Sequence, residues 1–127
     1  MVIDIWALAR GKVEDALRQL QHDGVMPLED FLKAVAFVAR SLSDENRLRI
    51  LLCVSEAKKS VSGIVEELNL SQPLVSHHLK ELRRSLLVKV ERRGPFVYYE
   101  IADARIVQIL AALQDLATDL LASRTTF

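Results

Sequence analysis

Leu70-Ser71-Gln72-Pro73-Leu74-Val75-Ser76-His77-His78-Leu79-Lys80-Glu81-Leu82-Arg83-Arg84 is the stretch whose reading decides the fold. Ser71 is a good helix N-cap, and Pro73 suits a first turn, where a missing N–H costs nothing. The spacing predicts a helix from Gln72 to about Arg84 with Val75, Leu79 and Leu82 on one face. The opposite face carries Gln72, Ser76, His77, Lys80 and Arg83, with no acid before Glu81. Just upstream, Asn69 can take the left-handed conformation that ends a short helix, read from about Ser62 to Leu68. Helix, tight turn, helix is the local order.

Working outward toward the N-terminus, Ser43 is read as the N-cap of a helix from Asp44 to about Glu56, with Leu48, Leu51, Leu52 and Val54 facing inward. Pro27 opens a helix to about Leu42 with Leu28, Phe31, Val35, Val38 and Leu42 in register. Residues 3–22 carry Trp6, Ala9, Val13, Leu17 and Leu20 on one further stripe, stopped by Asp23-Gly24. Toward the C-terminus, residues 87–92 and 96–101 are rich in β-branched and aromatic side chains and are joined by Arg93-Gly94-Pro95, which reads as a hairpin with a basic tip. A last helix starts near Asp103, its expected N-cap, and carries Ile106, Ile109, Leu113, Leu116 and Leu120. The expected architecture is mainly α with a small β-hairpin wing: a winged helix-turn-helix with an extra N-terminal helix and an apolar-striped C-terminal helix. Residues 1–25 form the extension, 26–122 the winged domain and 123–127 a tail.

Composition narrows the functional classes. The chain has 127 residues, 50% of them hydrophobic, and only 4 Gly and 3 Pro, which favours helices over an all-β domain. One cysteine, Cys53, excludes an internal disulfide framework and a cysteine-only zinc site within one chain, and points to the cytoplasm. No membrane segment is legible: Asp4 and Arg10 break the first apolar stretch, and Gln108, Gln114, Asp115 and Asp119 break the last. Lys and Arg total 17 against 17 Asp and Glu, a net charge of zero that argues against an indiscriminate polyanion binder. The charge is unevenly placed, however: residues 71–99 hold 6 basic and 2 acidic side chains, and the segments on either side are each acidic by two.

A helix-turn-helix with a polar outer face, followed by a hairpin with arginines at its tip, is the order of parts that reads double-stranded DNA. One helix fits the major groove, so Gln72, Ser76 and His77 are placed for base edges, and Gln72 can address adenine with two bonds. Ser71 and the free amides of the first turn, in which Pro73 itself has none, suit a phosphate, Lys80, Arg83 and Arg84 suit the flanking backbone, and Arg92 and Arg93 suit a minor groove or phosphates. Two other classes stay open. A winged-helix protein-interaction module would use its apolar end helices to hold a partner without reading DNA. An enzyme has the weakest basis, because no phosphate loop, metal triad or spaced carboxylate pair is present and Ser76 and His77 point apart.

Residues 42–51, the run 70–83 and the hairpin from Leu87 through Arg93-Gly94 to Tyr99 resemble the ArsR/SmtB repressors, small dimeric winged-helix regulators. The resemblance covers roughly residues 28–120. It implies groove-facing Gln72, Ser76 and His77, a pseudo-palindromic operator, and a homodimer built from the first and last helices, here Trp6, Val13, Leu17 and Leu20 with Ile106, Ile109, Leu113, Leu116 and Leu120. The family often has Gly at the end of the reading helix; this chain has Leu86, so that end is expected to close another way. The thiolate metal motif of many relatives falls on Ser60, Ser62 and Gly63, and the last-helix motif falls on Asp103, Arg105, Leu116 and Asp119. Neither set is a soft-metal or imidazole site, so no metal and no cofactor is expected. Two weaker possibilities are a redox role for Cys53 and a metal held by His22 and Asp23 with Asp115 or Asp119; a buried thiol and exposed polar side chains are the plainer readings.

Overall fold

The computed structural model describes residues 27–124, so the stripe of Trp6, Val13, Leu17 and Leu20, with His22 and Asp23, lies outside the described residues. Five helices and one hairpin follow in order: α1 (Leu28–Ser41), α2 (Glu45–Glu56), α3 (Val61–Leu68), α4 (Gln72–Arg84), β1 (Val88–Arg93), β2 (Phe96–Ile101) and α5 (Arg105–Ala122). The chain divides into two compact units, residues 1–39 and 40–127, and α1 belongs almost wholly to the first. In α1 the expected stripe is only partly covered: Phe31 and Val38 are half-buried, whereas Leu28 and Val35 are exposed.

The second unit is organised around the helix-turn-helix. α4 packs on both α2 and α3, and the hairpin packs on α2, α3 and α4. The core is Ile50, Leu51, Cys53 and Val54 from α2, Ile64 from α3, Val75, Leu79 and Leu82 from α4, then Leu87, Val88 and Ile106. Fully burying side chains of this kind is worth roughly 1.5–3 kcal/mol each, so this small cluster is the main favourable term holding the unit together. The α2 face differs by one step from the expected one: Ile50 is buried and Leu52 is half-exposed, because α2 meets α4 and α3 along the Ile50-Val54 edge.

The helix ends follow capping chemistry. Asp44, and not Ser43, is the N-cap of α2: its Oδ1 accepts the Arg47 N–H at 3.0 Å, while Ser43 Oγ donates backward to the Arg40 carbonyl at 2.6 Å. Ser60 caps α3 by accepting from Gly63 N, which starts that helix at Val61, one residue before the expected Ser62. Asn69 is left-handed (φ 52°), as its place in the tight turn requires, and Ser71 caps α4 by accepting from Leu74 N at 3.3 Å. Asp103 lies one position before the formal cap of α5. Its carboxylate nevertheless takes the Arg105 N–H at 2.8 Å, and the helix opens with tight Asp103-to-Ile106 and Ala104-to-Val107 turns.

β1 and β2 pair antiparallel from Val88↔Ile101 to Arg93↔Phe96, so Arg93 is in the ladder and only Gly94 and Pro95 turn the chain. Gly94 has φ +60°; Pro95 cannot follow with a second positive φ, which selects the II′ sense for this two-residue hairpin. Lys59 adds one backbone rung on the other edge, with Lys59 N to Tyr99 O at 2.9 Å and Tyr99 N to Lys59 O at 2.8 Å. The Lys58-Lys59 break between α2 and α3 is thus also the anchor of the wing.

The end of α4 overturns the expectation that Leu86 forces a different closure. Leu86 adopts the left-handed conformation itself (φ 63°). Leu87 N bonds Leu82 O at 3.0 Å and Leu86 N bonds Arg83 O at 3.1 Å, the paired bonds of a glycine-type helix stop. The buried Leu87, on the next residue, gives the chain a reason to take this path. A left-handed non-glycine costs roughly 1–2 kcal/mol. Leu86 is 79% exposed and loses little packing when truncated. Leu86→Gly is therefore expected to stabilise the protein by about 0.5–1 kcal/mol after the added unfolded-state entropy is counted, measured as a higher urea midpoint with unchanged m-value.

Candidate nucleic-acid interface

Helix α4 divides cleanly. Val75, His78, Leu79 and Leu82 are buried, and Gln72, Ser76, His77, Lys80, Arg83 and Arg84 are all exposed on the far side. Ser71 and Pro73 stand exposed at the N-terminal end, where the first-turn amides and the helix dipole favour an anion. Arg84 lies 3.6 Å from Glu81, an exposed i,i+3 pair that leaves the helix end basic. The two adjacent histidines have opposite settings: His77 is exposed, and His78 is buried in the interior. His78 Nε2 is 3.7 Å from Asp44 Oδ1, and its Nδ1 is buried without a hydrogen-bond partner. Burial pushes its pKa below 6.5, opposed by the Asp44 carboxylate.

The wing presents its tip arginines differently. Arg92 and Arg93 are both exposed, but on opposite faces of the strand. Arg93 Nε donates to Glu91 Oε1 at 2.9 Å, and Lys58 Nζ pairs with Glu91 Oε2. Glu91 is held below the usual carboxylate range, first by Lys58 and then by Arg93. Glu100 on the same outer face pairs with Lys89 at 3.4 Å and lies 3.9 Å from Lys58. The strand's two-residue period places Glu91 beside Arg93, so that contact is legible in the sequence; the approach of Lys58 is a product of the fold.

Among the described residues, the remaining candidate side chains form no chemical centre. The Cys53 thiol is buried and donates to Glu67 Oε2 at 3.1 Å, with Lys59 Nζ 3.5 Å from the sulfur and itself paired to Glu67. Burial, then the Glu67 contact, raises its pKa, which keeps it a protonated core residue. Asp103 is taken up by Arg105, whose guanidinium lowers its pKa to about 2. Asp115 and Asp119 are exposed on α5, and among the described residues no three His, Cys, Asp or Glu side chains gather as metal ligands. Nor is any described helix long and apolar enough to cross a membrane.

On α5, Ile109, Leu113, Leu116 and Leu120 are 46–59% exposed, joined by Val107 and Leu121. Ile106 leaves that stripe: it is buried in the unit's own core. Leu48, Leu52, Val107, Leu110, Ala111 and Gln114 line an apolar groove of about 400 Å³ between α2 and α5.

These parts define a winged helix-turn-helix. Residues 44–90 match the arsR family of bacterial regulatory proteins. The HTH-type transcriptional repressor SmtB of Mycobacterium tuberculosis is 36% identical over 84 residues, 66% of this chain and 62% of that protein, so the match spans less than two thirds of the repressor's length. An HTH-type transcriptional regulator of Methanocaldococcus jannaschii is 33% identical over 90 residues, 70% of this chain and all of that one. Among solved structures, the homodimeric winged helix-turn-helix DNA-binding domain of a possible ArsR-family regulator from Mycobacterium bovis aligns with TM-score 0.66 and 26% identity, over 78% of this chain and 92% of that one. This chain belongs to the arsR family.

Because burial depresses the His78 pKa, the unfolded chain binds a proton that the folded chain resists. The stability contributed by the neutral ring is full above pH 6.5 and is lost as pH falls from there toward the lowered folded value. Urea melts at pH values on either side of this window are expected to show a weaker wild-type protein on the acid side, and His78→Leu is expected to flatten that difference.

Proposed function

We propose that the chain is a homodimeric, sequence-specific DNA-binding transcriptional repressor acting on a pseudo-palindromic operator. The observation that carries this is α4: one face is locked into the core while Gln72, Ser76, His77, Lys80, Arg83 and Arg84 stand together in solvent behind a capped, positive helix start. Gln72, Ser76 and His77 reach base edges; the Ser71 hydroxyl and the Gln72 N–H at the helix start take a phosphate; Lys80, Arg83 and Arg84 hold the backbone; the wing adds Arg92 and Arg93. The relatives, a transcriptional repressor and a homodimeric winged helix-turn-helix DNA-binding domain, support the same reading. The homodimer uses the exposed α5 stripe of Ile109, Leu113, Leu116 and Leu120, because four large apolar residues in one row are an association surface. Any effector acts without a thiolate-held metal, given serines at the thiolate positions.

Binding to a duplex taken from upstream of the gene, compared with a scrambled duplex, tests this directly. Tighter, salt-dependent binding to the natural duplex is expected; equal and salt-independent signals would reject the reading. Gln72→Ala is expected to erode base discrimination by roughly 1–3 kcal/mol per half-site, and Arg92→Ala to weaken both duplexes and lower the salt slope by about one per subunit bound. Sedimentation is expected to show a wild-type dimer and, with Leu113→Glu, a folded monomer, since Leu113 is 46% exposed within its own chain.

A further inference from the structure

The two tip arginines look equivalent in the sequence, and the wing separates them. Arg93 shares the outer face with Glu91 and donates Nε to Glu91 Oε1 at 2.9 Å, whereas among the described residues no ion pair engages Arg92. Glu91 cannot readily swing aside, because its other oxygen is paired to Lys58. Lys58 in turn is fixed beside the sheet: its neighbour Lys59 is bonded to the Tyr99 backbone in both directions. Glu91 is therefore clamped from the body of the domain on one side and grips the wing tip on the other, with its carboxylate held ionised by both cations. Only the Nε edge of the Arg93 guanidinium is engaged in this pair. A phosphate that recruits Arg93 must exchange one charge-assisted contact for another, and must also approach the Glu91 carboxylate.

We propose that Glu91 is a positioning residue that ties Arg93 to the wing's outer face and withholds that cation from loosely placed DNA, so that Arg92 supplies the wing's basal phosphate contact and Arg93 adds to binding only on a well-fitted duplex. This rests on the DNA-binding reading given above. The device reduces sequence-independent affinity, which is set by the number of phosphates neutralised. Its energetic scale is that of an exposed ion pair, equivalent to about a two- to fivefold change in affinity per wing. Glu100 provides the internal comparison. It is an acid on the same strand pair and outer face, with Lys89 and Lys58 as its partners, and its ion pairs do not include Arg93.

Fluorescence anisotropy with the natural and the scrambled duplex, over about 50 to about 200 mM salt, tests the proposal in the full chain. Glu91→Gln is expected to tighten the scrambled duplex about two- to fivefold per wing, the natural duplex less, and to steepen the scrambled-duplex salt slope by about 0.9 for each released arginine. Glu91→Gln combined with Arg93→Gln is expected to return to the behaviour of Arg93→Gln alone, and Glu100→Gln to leave the slope as in wild type. A Glu91→Gln slope equal to wild type, an equal gain from Glu100→Gln, or a gain that survives in the double variant overturns the proposal while the DNA reading stands. A wild-type protein that binds neither duplex in a salt-dependent way overturns both.

Discussion

The structure depends on the burial of one face of α4. Val75, His78, Leu79 and Leu82 lie at the i, i+3, i+4, i+7 positions of a helix, and all four are removed from water by α2 and α3. That packing fixes the rotation of the helix about its axis. With the inner row set, Gln72, Ser76, His77, Lys80, Arg83 and Arg84 have only the solvent side left. The polar face is thus a consequence of the core and not of any contact among the polar residues themselves.

The ends of α4 serve the same constraint. At the start, Asn69 in the left-handed region and Ser71 at the cap turn the chain sharply enough for α3 and α4 to share Ile64, Val75 and Leu79 in one core. At the end, Leu86 accepts an unfavourable backbone conformation so that Leu87 and Val88 can be buried and the hairpin can begin. A local cost of a kcal/mol or two is offset by two buried apolar side chains of similar individual worth. The wing is then tied back through Lys59 and Tyr99, so its position relative to α4 rests on backbone hydrogen bonds rather than on side chains alone.

Zero net charge is a misleading summary of such a molecule. The basic excess sits in residues 71–99, and acidic flanks balance it in the total. Even inside the basic segment, pairing redistributes the effect: Arg93 is committed to Glu91, and Arg84 stands near Glu81. What a polyanion meets is set by which cations are paired as well as by how many there are.

Much of the fold was legible in the sequence because it is written in short-range chemistry. Apolar spacing of three and four located α2, α4 and α5, Ser71 marked the start of α4, Asn69 marked the turn, and Gly94-Pro95 marked the hairpin. These signals depend on neighbouring residues, whose geometry is set by backbone sterics and hydrogen bonding. The tertiary structure decided what depends on residues distant along the chain. It buried His78 while exposing His77, exchanged Ile50 for Leu52 on the inner side of α2, and moved Ile106 from the α5 stripe into the core. It made Leu86 act as a glycine does, and brought Lys58 across to Glu91, 33 positions away. Periodicity specifies that a helix has an apolar side; only the packing of α2, α3, α4 and the wing around one small core determines which marginal residues fall inside it and which charges meet outside.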